Sequence, residues 1–468
     1  MKITFYALTI LFFFFLFAPH YSEGSNSKYP TDQRQESIII AANESSDLPL
    51  IINEVKKIFQ SGTFGESGYS VAVFEDLAVI GDPSGEGKEV GSGVAYVYRR
   101  VSGSNNWIFV KKLIADDGVM DDRFGFSVDI NGDFILVGAP ARHYISIYPF
   151  DVFYVGNGSA YMFYRNQGGT DNWGQVAKLT PKHPIDIPND LSLDEFGYSV
   201  ALGYGVQFKT ALVGAPADNY CGDDSGAAFL FNEGNQIKML TAPDCTGGER
   251  FGSSVAYTDN WFNWIVVGAP GDFNSSAKQT GSAYLFERDW GSPNSWGFNG
   301  KITPSDGDDG DTFGRSVAIS GDTVVIGAPY ALMSYGATYV FKPLLFSWIQ
   351  AKKLMPTDGE DYYYFGSSVA VEGDAVAVGA PAFTTPGWGY VFKRNQGGTD
   401  NWGQHSRLAA SNGEIGDNLG ASIDISGSTV IAGAPSYANS GAAYFFDLPE
   451  TKGIIKAKPW IPLLLLDD

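Results

Sequence analysis

The sequence predicts an all-β fold, a seven-bladed β-propeller built from four-stranded antiparallel blades. Three observations support this prediction. Glycine, tyrosine and phenylalanine are abundant, with 57, 25 and 33 residues, while strong helix formers are scarce. A Gly-Ala-Pro triplet or a near copy ends an apolar run seven times. Each copy also carries four short β-branched or aromatic runs, and such units must stack to bury both faces, as the blades of a propeller do.

The repeat unit is clearest in its fifth copy. SVAIS and TVVIG are separated by Gly321-Asp322, which is typical of a tight hairpin, and ATYVF and WIQAKKL follow. We expect these four runs to be the first to fourth strands of one blade. The seven triplets lie 52 to 76 residues apart and begin at Gly81, Gly138, Gly214, Gly268, Gly327, Gly379 and Gly433.

Two further patterns concern the fourth strand. Five tryptophans precede a Leu or Ile by six residues, and this even spacing predicts that both side chains lie on one strand face, packed between blades. They are Trp107, Trp173, Trp296, Trp348 and Trp402. The segment RNQGGTDNWGQ occurs twice, at 165–175 and 394–404. We interpret it as the hairpin from third to fourth strand in blades two and six, with Gly-Gly supplying positive φ.

The two termini set the predicted domain bounds. Residues 1–23, with an apolar run from Ile3 to Ala18, are typical of a secretory signal, and an uncleaved anchor is the alternative. Polar residues 24–50 predict a flexible lead-in. The propeller is predicted over 51–447, followed by a tail over 448–468. We expect 51–59 (IINEVKKIF) to complete the last blade, with 453–458 (GIIKAK) as its competitor.

The motifs at the strand ends resemble the FG-GAP repeat, the unit of the seven-bladed head of integrin α subunits. Phe-Gly precedes the first strand at Phe124, Phe196, Phe251, Phe313 and Phe365; Leu419-Gly420 and Ser67-Gly68 replace it in copies seven and one. The resemblance covers about residues 51–447 and implies a binding or adhesion role. Integrin-type repeats often carry a calcium loop between first and second strands. Here that connection, such as Ser320-Gly321-Asp322, holds too few carboxylates.

Charge predicts one acidic face. The net charge of −21 argues against nucleic acid and anionic membranes as partners. The six loops that lead from a fourth strand to the next first strand hold 19 Asp or Glu and three Lys or Arg. The densest stretch supplies candidate calcium ligands, with a solvated turn as the alternative. These are Asp306, Asp308, Asp309 and Asp311.

An aromatic insert between the second and third strands of blade two is the candidate ligand-binding site. Exposed aromatic side chains are common at binding hot spots; the alternative is a loop that covers its own blade or fills the channel. The residues are Tyr144, Tyr148, Phe150, Phe153 and Tyr154. No catalytic motif is found, and His143, His183 and His405 show no metal-binding spacing. The Ser of each Ser-Val or Ser-Ile pair recurs in every copy and is predicted to pack, not to act as a nucleophile.

Modification sites complete the sequence-based predictions. Cys221 and Cys245 are expected to form a disulfide, and Asn43, Asn157 and Asn274 are candidate N-glycosylation sites. Together these features predict a secreted or surface-associated binding or adhesion module for a protein or glycan on the acidic face. The alternatives are a structural component of an extracellular or cell-surface layer, and a propeller hydrolase or lyase.

Overall fold

The computed structural model describes most of the repeat region. The described residues are 50–58, 65–141, 143–146, 152–184, 194–203, 210–258, 263–274, 276–289, 295–345, 347–357 and 364–449; at 143–146 and 152–155 the description is limited to the backbone. All of them belong to one compact unit spanning Pro49–Asp468. The predicted signal, most of the lead-in and residues 450–468 lie outside the described residues.

Seven antiparallel sheets form seven blades, which confirms the predicted fold. Blades one to three comprise Ser70–Phe74, Leu77–Asp82, Val94–Arg100 and Trp107–Leu113; Ser127–Asn131, Phe134–Ala139, Ser159–Tyr164 and Gly174–Leu179; and Ser199–Leu202, Thr210–Ala215, Ala227–Asn232 and Asn235–Leu240. Blades four and five comprise Ser254–Thr258, Trp264–Ala269, Ser282–Arg288 and Trp296–Ile302; and Ser316–Ser320, Thr323–Ala328, Ala337–Leu344 and Ser347–Leu354. Blades six and seven comprise Ser368–Glu372, Ala375–Ala380, Trp388–Lys393 and Gly403–Ala409; and Ser422–Ser426, Thr429–Ala434, Ala442–Asp447 and Lys56–Ile58.

The N-terminal segment closes the ring. Lys56–Ile58 pairs antiparallel with the third strand of blade seven, with Lys57 opposite Tyr444. The preceding strand, Leu50–Asn53, pairs parallel with the fourth strand of blade six and widens that sheet to five strands. The expectation that the N-terminal segment completes the last blade is therefore confirmed, although the predicted single strand serves two blades. The competing segment 453–458 lies outside the described residues.

The repeat motifs join neighbouring blades around the axis. Ser316 of blade five donates a hydrogen bond of 2.8 Å to the carbonyl of Gly366 in blade six. The same bond recurs at every junction, and Ser422 to Gly68 (2.9 Å) joins blade seven to blade one. A Cβ on Gly327 would lie 2.0 Å from the Gly366 oxygen, so glycine is required there. The predicted packing role of the serines is confirmed.

The tryptophans pack between blades, but their predicted face is wrong. Trp107 stacks on Phe445 of blade seven at 4.3 Å, whereas Leu113, six residues later, packs in the cluster shared with blade two. The two side chains thus lie on opposite faces of the blade. The reason is a β-bulge at Val110, which the pairing skips because Val97 lies opposite Lys111 and Tyr98 lies opposite Phe109. The extra residue in the fourth strand reverses the alternation between Trp107 and Leu113.

The repeated undecapeptide forms the predicted hairpin in blades two and six. Gly168 and Gly169 have φ values of 84° and 137°. Each copy also reaches back to the preceding blade. Asn172 accepts a 2.7 Å hydrogen bond from Lys111 of blade one, and Asn401 accepts the same bond from Lys352 of blade five. The two copies of the undecapeptide therefore have the same structural role in blades two and six.

The first strands line a central channel of about 270 Å³. Two carboxyl groups face it, and each links its own blade to the next. Asp129 of blade two accepts a 2.6 Å hydrogen bond from the Leu202 amide, and Asp424 of blade seven accepts a 2.7 Å bond from the Val73 amide. Burial raises the pKa of both aspartates to about 7.

Helical structure is confined to two short turns in the described residues, Ala331–Ser334 and Tyr437–Asn439. Neither of these turns in the described residues is long and apolar enough to cross a membrane.

Candidate ligand-binding pocket on the loop face

Strand direction distributes the loops over two faces. Because neighbouring strands of a blade are antiparallel, the loops from second to third strands and from fourth strands to the next blade emerge together. We call this side the loop face. The hairpins from first to second and from third to fourth strands emerge on the opposite side, which we call the hairpin face.

A pocket of about 390 Å³ lies on the loop face at the propeller axis. Every blade contributes the residue that follows the glycine of its Phe-Gly motif. Those seven glycines have φ between 86° and 95°, a conformation that favours glycine and directs the following residue to the pocket. The seven lining residues are Tyr69, Phe126, Tyr198, Ser253, Arg315, Ser367 and Ala421.

The pocket has an aromatic side and a polar side. Tyr69 and Phe126 have ring centroids 4.8 Å apart, and Phe126 and Tyr198 lie at 4.9 Å. The guanidinium of Arg123 lies 4.6 Å from the Phe126 centroid. Burial raises the pKa of Tyr69, so its hydroxyl remains a hydrogen-bond donor at neutral pH. Across the axis, Arg315 is exposed and adds positive charge beside small side chains.

The rim next to blades five and six is apolar. Tyr364 contacts Tyr330 at 5.4 Å and Phe383 at 5.5 Å, both edge to face. Tyr330 is 50% exposed and Phe383 is 65% exposed. Leu332 and Met333 follow in the same loop, exposed and with left-handed φ of 54° and 60°. Left-handed backbone at non-glycine residues is strained and is often found at functional sites.

The aromatic insert of blade two is placed only by its backbone. His143–Ser146 and Val152–Val155 form an antiparallel hairpin with Tyr144 opposite Tyr154 and Ile145 opposite Phe153. The side chains of the five predicted binding residues, and all of Tyr148 and Phe150, lie outside the described residues. Ligand binding by the insert stays a prediction.

The four candidate calcium ligands of the loop between blades four and five are not among the described groups of three or more possible ligand atoms that lie within 4.8 Å of one another. Asp306 pairs with Lys353 at 2.7 Å, and Asp308 pairs with Lys278 at 2.6 Å. Asp309 accepts a hydrogen bond from the amide of Gln279, while Asp311 accepts one from the amide of Asp308. Each of these carboxylates therefore has a protein partner of its own, and calcium binding by them stays a prediction.

A recurring network also reduces the negative charge of the loop face. In blade two, Asp117 accepts a hydrogen bond from the Tyr161 hydroxyl at 3.0 Å and pairs with Lys178 at 2.5 Å. Blades four and five repeat it around Asp244 and Asp306. In six blades a Tyr of the third strand faces a Lys or Arg of the fourth: Tyr96 and Lys112, Tyr161 and Lys178, Tyr284 and Lys301, Tyr339 and Lys353, Tyr390 and Arg407, Tyr444 and Lys57. Counting loop residues alone therefore overstates the acidity.

The structure joins Cys221 and Cys245 in the predicted disulfide, with a Cα–Cα distance of 5.4 Å. Asn157 is exposed and Asn274 is partly exposed, whereas Asn43 lies outside the described residues. N-glycosylation at these three sites stays a prediction.

Comparison with known families agrees with the repeat structure. The profile of the FG-GAP repeat matches six segments, 107–163, 173–231, 235–286, 296–341, 348–392 and 402–446. The chain belongs to the FG-GAP repeat family. Each matched segment begins in or next to the fourth strand of one blade and ends in or next to the third strand of the next. A seven-bladed ring of such repeats is the arrangement of an integrin α-like head. None of the curated proteins compared with the chain matches it.

The axial pocket was not among the features predicted from the sequence. The signal was present, because the pocket residue follows the glycine of the Phe-Gly position in every copy. That position changes from aromatic in copies one to three to small or charged in copies four to seven. Within a repeat whose structural residues hardly vary, such variation indicates a surface free to specialise.

Proposed function

We propose that this FG-GAP propeller is a secreted or surface-associated binding module that recognises a protein ligand with its loop face. The axial pocket and its exposed aromatic rim carry the proposal. A concave site with aromatic walls and a few charged groups is typical of ligand recognition. Family membership supports a binding role over an enzymatic one.

The chemistry of the site favours a protein ligand over a glycan. Tyr330 and Phe383 are rigid aromatic side chains that lose little entropy on contact, and the neighbouring Leu332 and Met333 add apolar area. A pocket of about 390 Å³ can accept one or two side chains of a partner, and Arg315 can orient an acidic group there. The aromatic insert of blade two would extend the same face.

An extracellular location fits the covalent features of the chain. A disulfide persists in oxidising compartments, and the Cys221–Cys245 pair links two loops of the loop face. The N-terminal apolar run is typical of a secretory signal. Both observations support an adhesion or binding role outside the cell.

Capture of ligands by the purified chain tests the proposal. The immobilised protein is offered the extracellular proteins and the free glycans of its native surroundings, and bound material is compared between variants. Phe383→Ser and Tyr330→Ser should reduce capture at least tenfold. Leu345→Ser is the matched control, because Leu345 is 90% exposed in a blade-five hairpin of the opposite face. Equal losses of ligand capture by Phe383→Ser and Leu345→Ser would contradict a binding site on the loop face. Capture of glycans but no protein would show that the ligand is a glycan and not a protein.

A further inference from the structure

Blade three departs from the common pattern of the blades at three positions that meet in space. The first two face each other across its third and fourth strands. Where the other blades pair a Tyr with a Lys or Arg, blade three pairs Phe229 with Met239. The cation of the recurring network is therefore replaced by an uncharged side chain in this blade.

The third departure is His183, in the loop that enters blade three. His183 lies four residues after Leu179, the last residue of the fourth strand of blade two. In other loops the equivalent position holds an aspartate, namely Asp117, Asp244 and Asp306. The loop is held in the same way as its counterparts. The side chain of Gln236 accepts a hydrogen bond from the Lys182 amide and donates one to the Lys182 carbonyl, both at 2.7 Å. In the equivalent loops, Gln175 accepts from the Asp116 amide and Gln350 accepts from the Ser305 amide. His183 thus takes the place of the network aspartate.

Two buried carboxylates surround the imidazole of His183. Its Nε2 lies 3.6 Å from Oδ2 of Asp194 and 3.6 Å from Oδ2 of Asp218, whose side chains are 3% and 0% exposed. All three candidate ligand atoms lie within 4.8 Å of one another. Phe229 contacts the imidazole edge to face, and the Tyr220 amide donates to Oδ1 of Asp218, which fixes that carboxylate. The arrangement is ordered and mostly screened from solvent.

Blade four shows what the same positions hold when the network cation is kept. Glu249 and Asp272 are the repeat equivalents of Asp194 and Asp218, and Asp244 is the equivalent of His183. The ammonium of Lys301 lies 2.6 Å from Asp244 and 2.7 Å from Asp272. This lysine marks the place of a cation among the acidic groups. In blade three that place is faced by Met239, and an imidazole has replaced one carboxylate.

We propose that blade three binds a divalent transition metal, with His183, Asp194 and Asp218 as its protein ligands. Zn²⁺ takes imidazole nitrogen and carboxylate oxygen at about 2.0–2.2 Å in tetrahedral geometry, which separates neighbouring ligand atoms by about 3.4 Å. The two 3.6 Å distances from Nε2 match that edge. Exchange of an oxygen ligand for imidazole favours Zn²⁺ over Ca²⁺. The fourth position would be open on the solvent side of His183, which is 19% exposed.

Zinc titration of the full-length, metal-free chain tests the site. Isothermal titration calorimetry should give one Zn²⁺ per chain, and Co²⁺ should show the visible absorption of a tetrahedral site. His183→Ala should lower the affinity at least 100-fold, whereas His143→Ala, which removes another loop-face histidine, should leave it unchanged. Zn²⁺ binding that survives His183→Ala, or a metal-free chain that binds Ca²⁺ but no Zn²⁺, would overturn the proposal.

A second variant keeps all three ligands and tests the charge argument. Phe229→Tyr with Met239→Lys restores the Tyr-Lys pair present in five of the other six blades, so the blade should fold. The added ammonium should take the place of the metal and lower Zn²⁺ affinity at least tenfold, with an unchanged circular dichroism spectrum. Parental affinity in this folded variant would show that Met239 does not border a cation site. Because neither test needs the protein ligand, they stand or fall independently of the proposed function.

Discussion

Ile58→Ala tests whether the N-terminal strand holds the ring closed. Ile58 is 8% exposed and packs in the cluster that contains Trp107 and Phe445. The substitution removes three carbon atoms, worth about 0.8 kcal/mol each, and leaves a cavity, so the free energy of unfolding should fall by about 3 kcal/mol. Ile108→Ala is the matched control in the fourth strand of blade one. Its side chain is 46% exposed, and its loss should cost less than about 0.5 kcal/mol.

Urea unfolding monitored by tryptophan fluorescence is the assay, because Trp107 stacks against the closing blade. With an m-value of about 3 kcal/mol/M, the midpoint of Ile58→Ala should fall by about 1 M. Deletion of either terminal segment is a stronger test of which segment closes the ring. A chain that begins at residue 60 should fail to fold, whereas one that ends at residue 449 should keep the parental midpoint. Equal midpoints for Ile58→Ala and Ile108→Ala would refute closure by this strand.

Three further predictions concern the channel, the blade junctions and the disulfide. Asp129 and Asp424 have pKa values of about 7 in the folded protein, against about 4 in the unfolded chain. Between these values the folded state retains protons that the unfolded state has lost. The free energy of unfolding should therefore fall as pH rises from about 4 to 7. The double Asn variant should lack this part of the decline when urea midpoints are compared at pH 4.5 and 7.5; an unchanged slope would contradict the assignment. Gly327→Ala should prevent or severely weaken folding, because its Cβ would meet a backbone oxygen at 2.0 Å, whereas Gly300→Ala, with no atom within 4 Å of its Cβ, should leave the melting temperature unchanged. Cys221→Ser removes a disulfide between residues 24 positions apart, and the free energy of unfolding measured by the same urea assay should fall by about 3 kcal/mol. A fall of less than about 0.5 kcal/mol would show that the disulfide adds little stability.

The fold could be predicted from the sequence because its constraints are local and repeated. Every copy needs glycine where blades approach closely and serine where one blade donates to the next, so the motif shows through seven times. The closing strand could be predicted for a related reason. Lys57 and Ile58 repeat the Lys-Leu or Lys-Ile pair that ends other fourth strands, and they take the same register opposite Tyr444.

The errors and omissions come from interactions that residue spacing does not show. The face of Trp107 depends on a bulge in its own strand at Val110, and simple alternation cannot reveal a bulge. His183 appeared isolated because Asp194 follows it by eleven residues in the same loop, Asp218 lies in the loop from second to third strand of blade three, and no short motif links the three. Alignment of the seven copies by position would have shown the exchange of Asp for His at 183.

Site-specific photo-crosslinking tests the central claim that ligands bind on the loop face. A photoreactive phenylalanine analogue is placed at Phe383 on the apolar rim, and in a second protein at Leu345 in the blade-five hairpin of the hairpin face. Both chains are irradiated in the native extracellular fraction. We predict a discrete protein adduct from position 383 that Arg315→Ala weakens, and no corresponding adduct from position 345. An adduct formed from position 345 and not from position 383 would contradict this prediction.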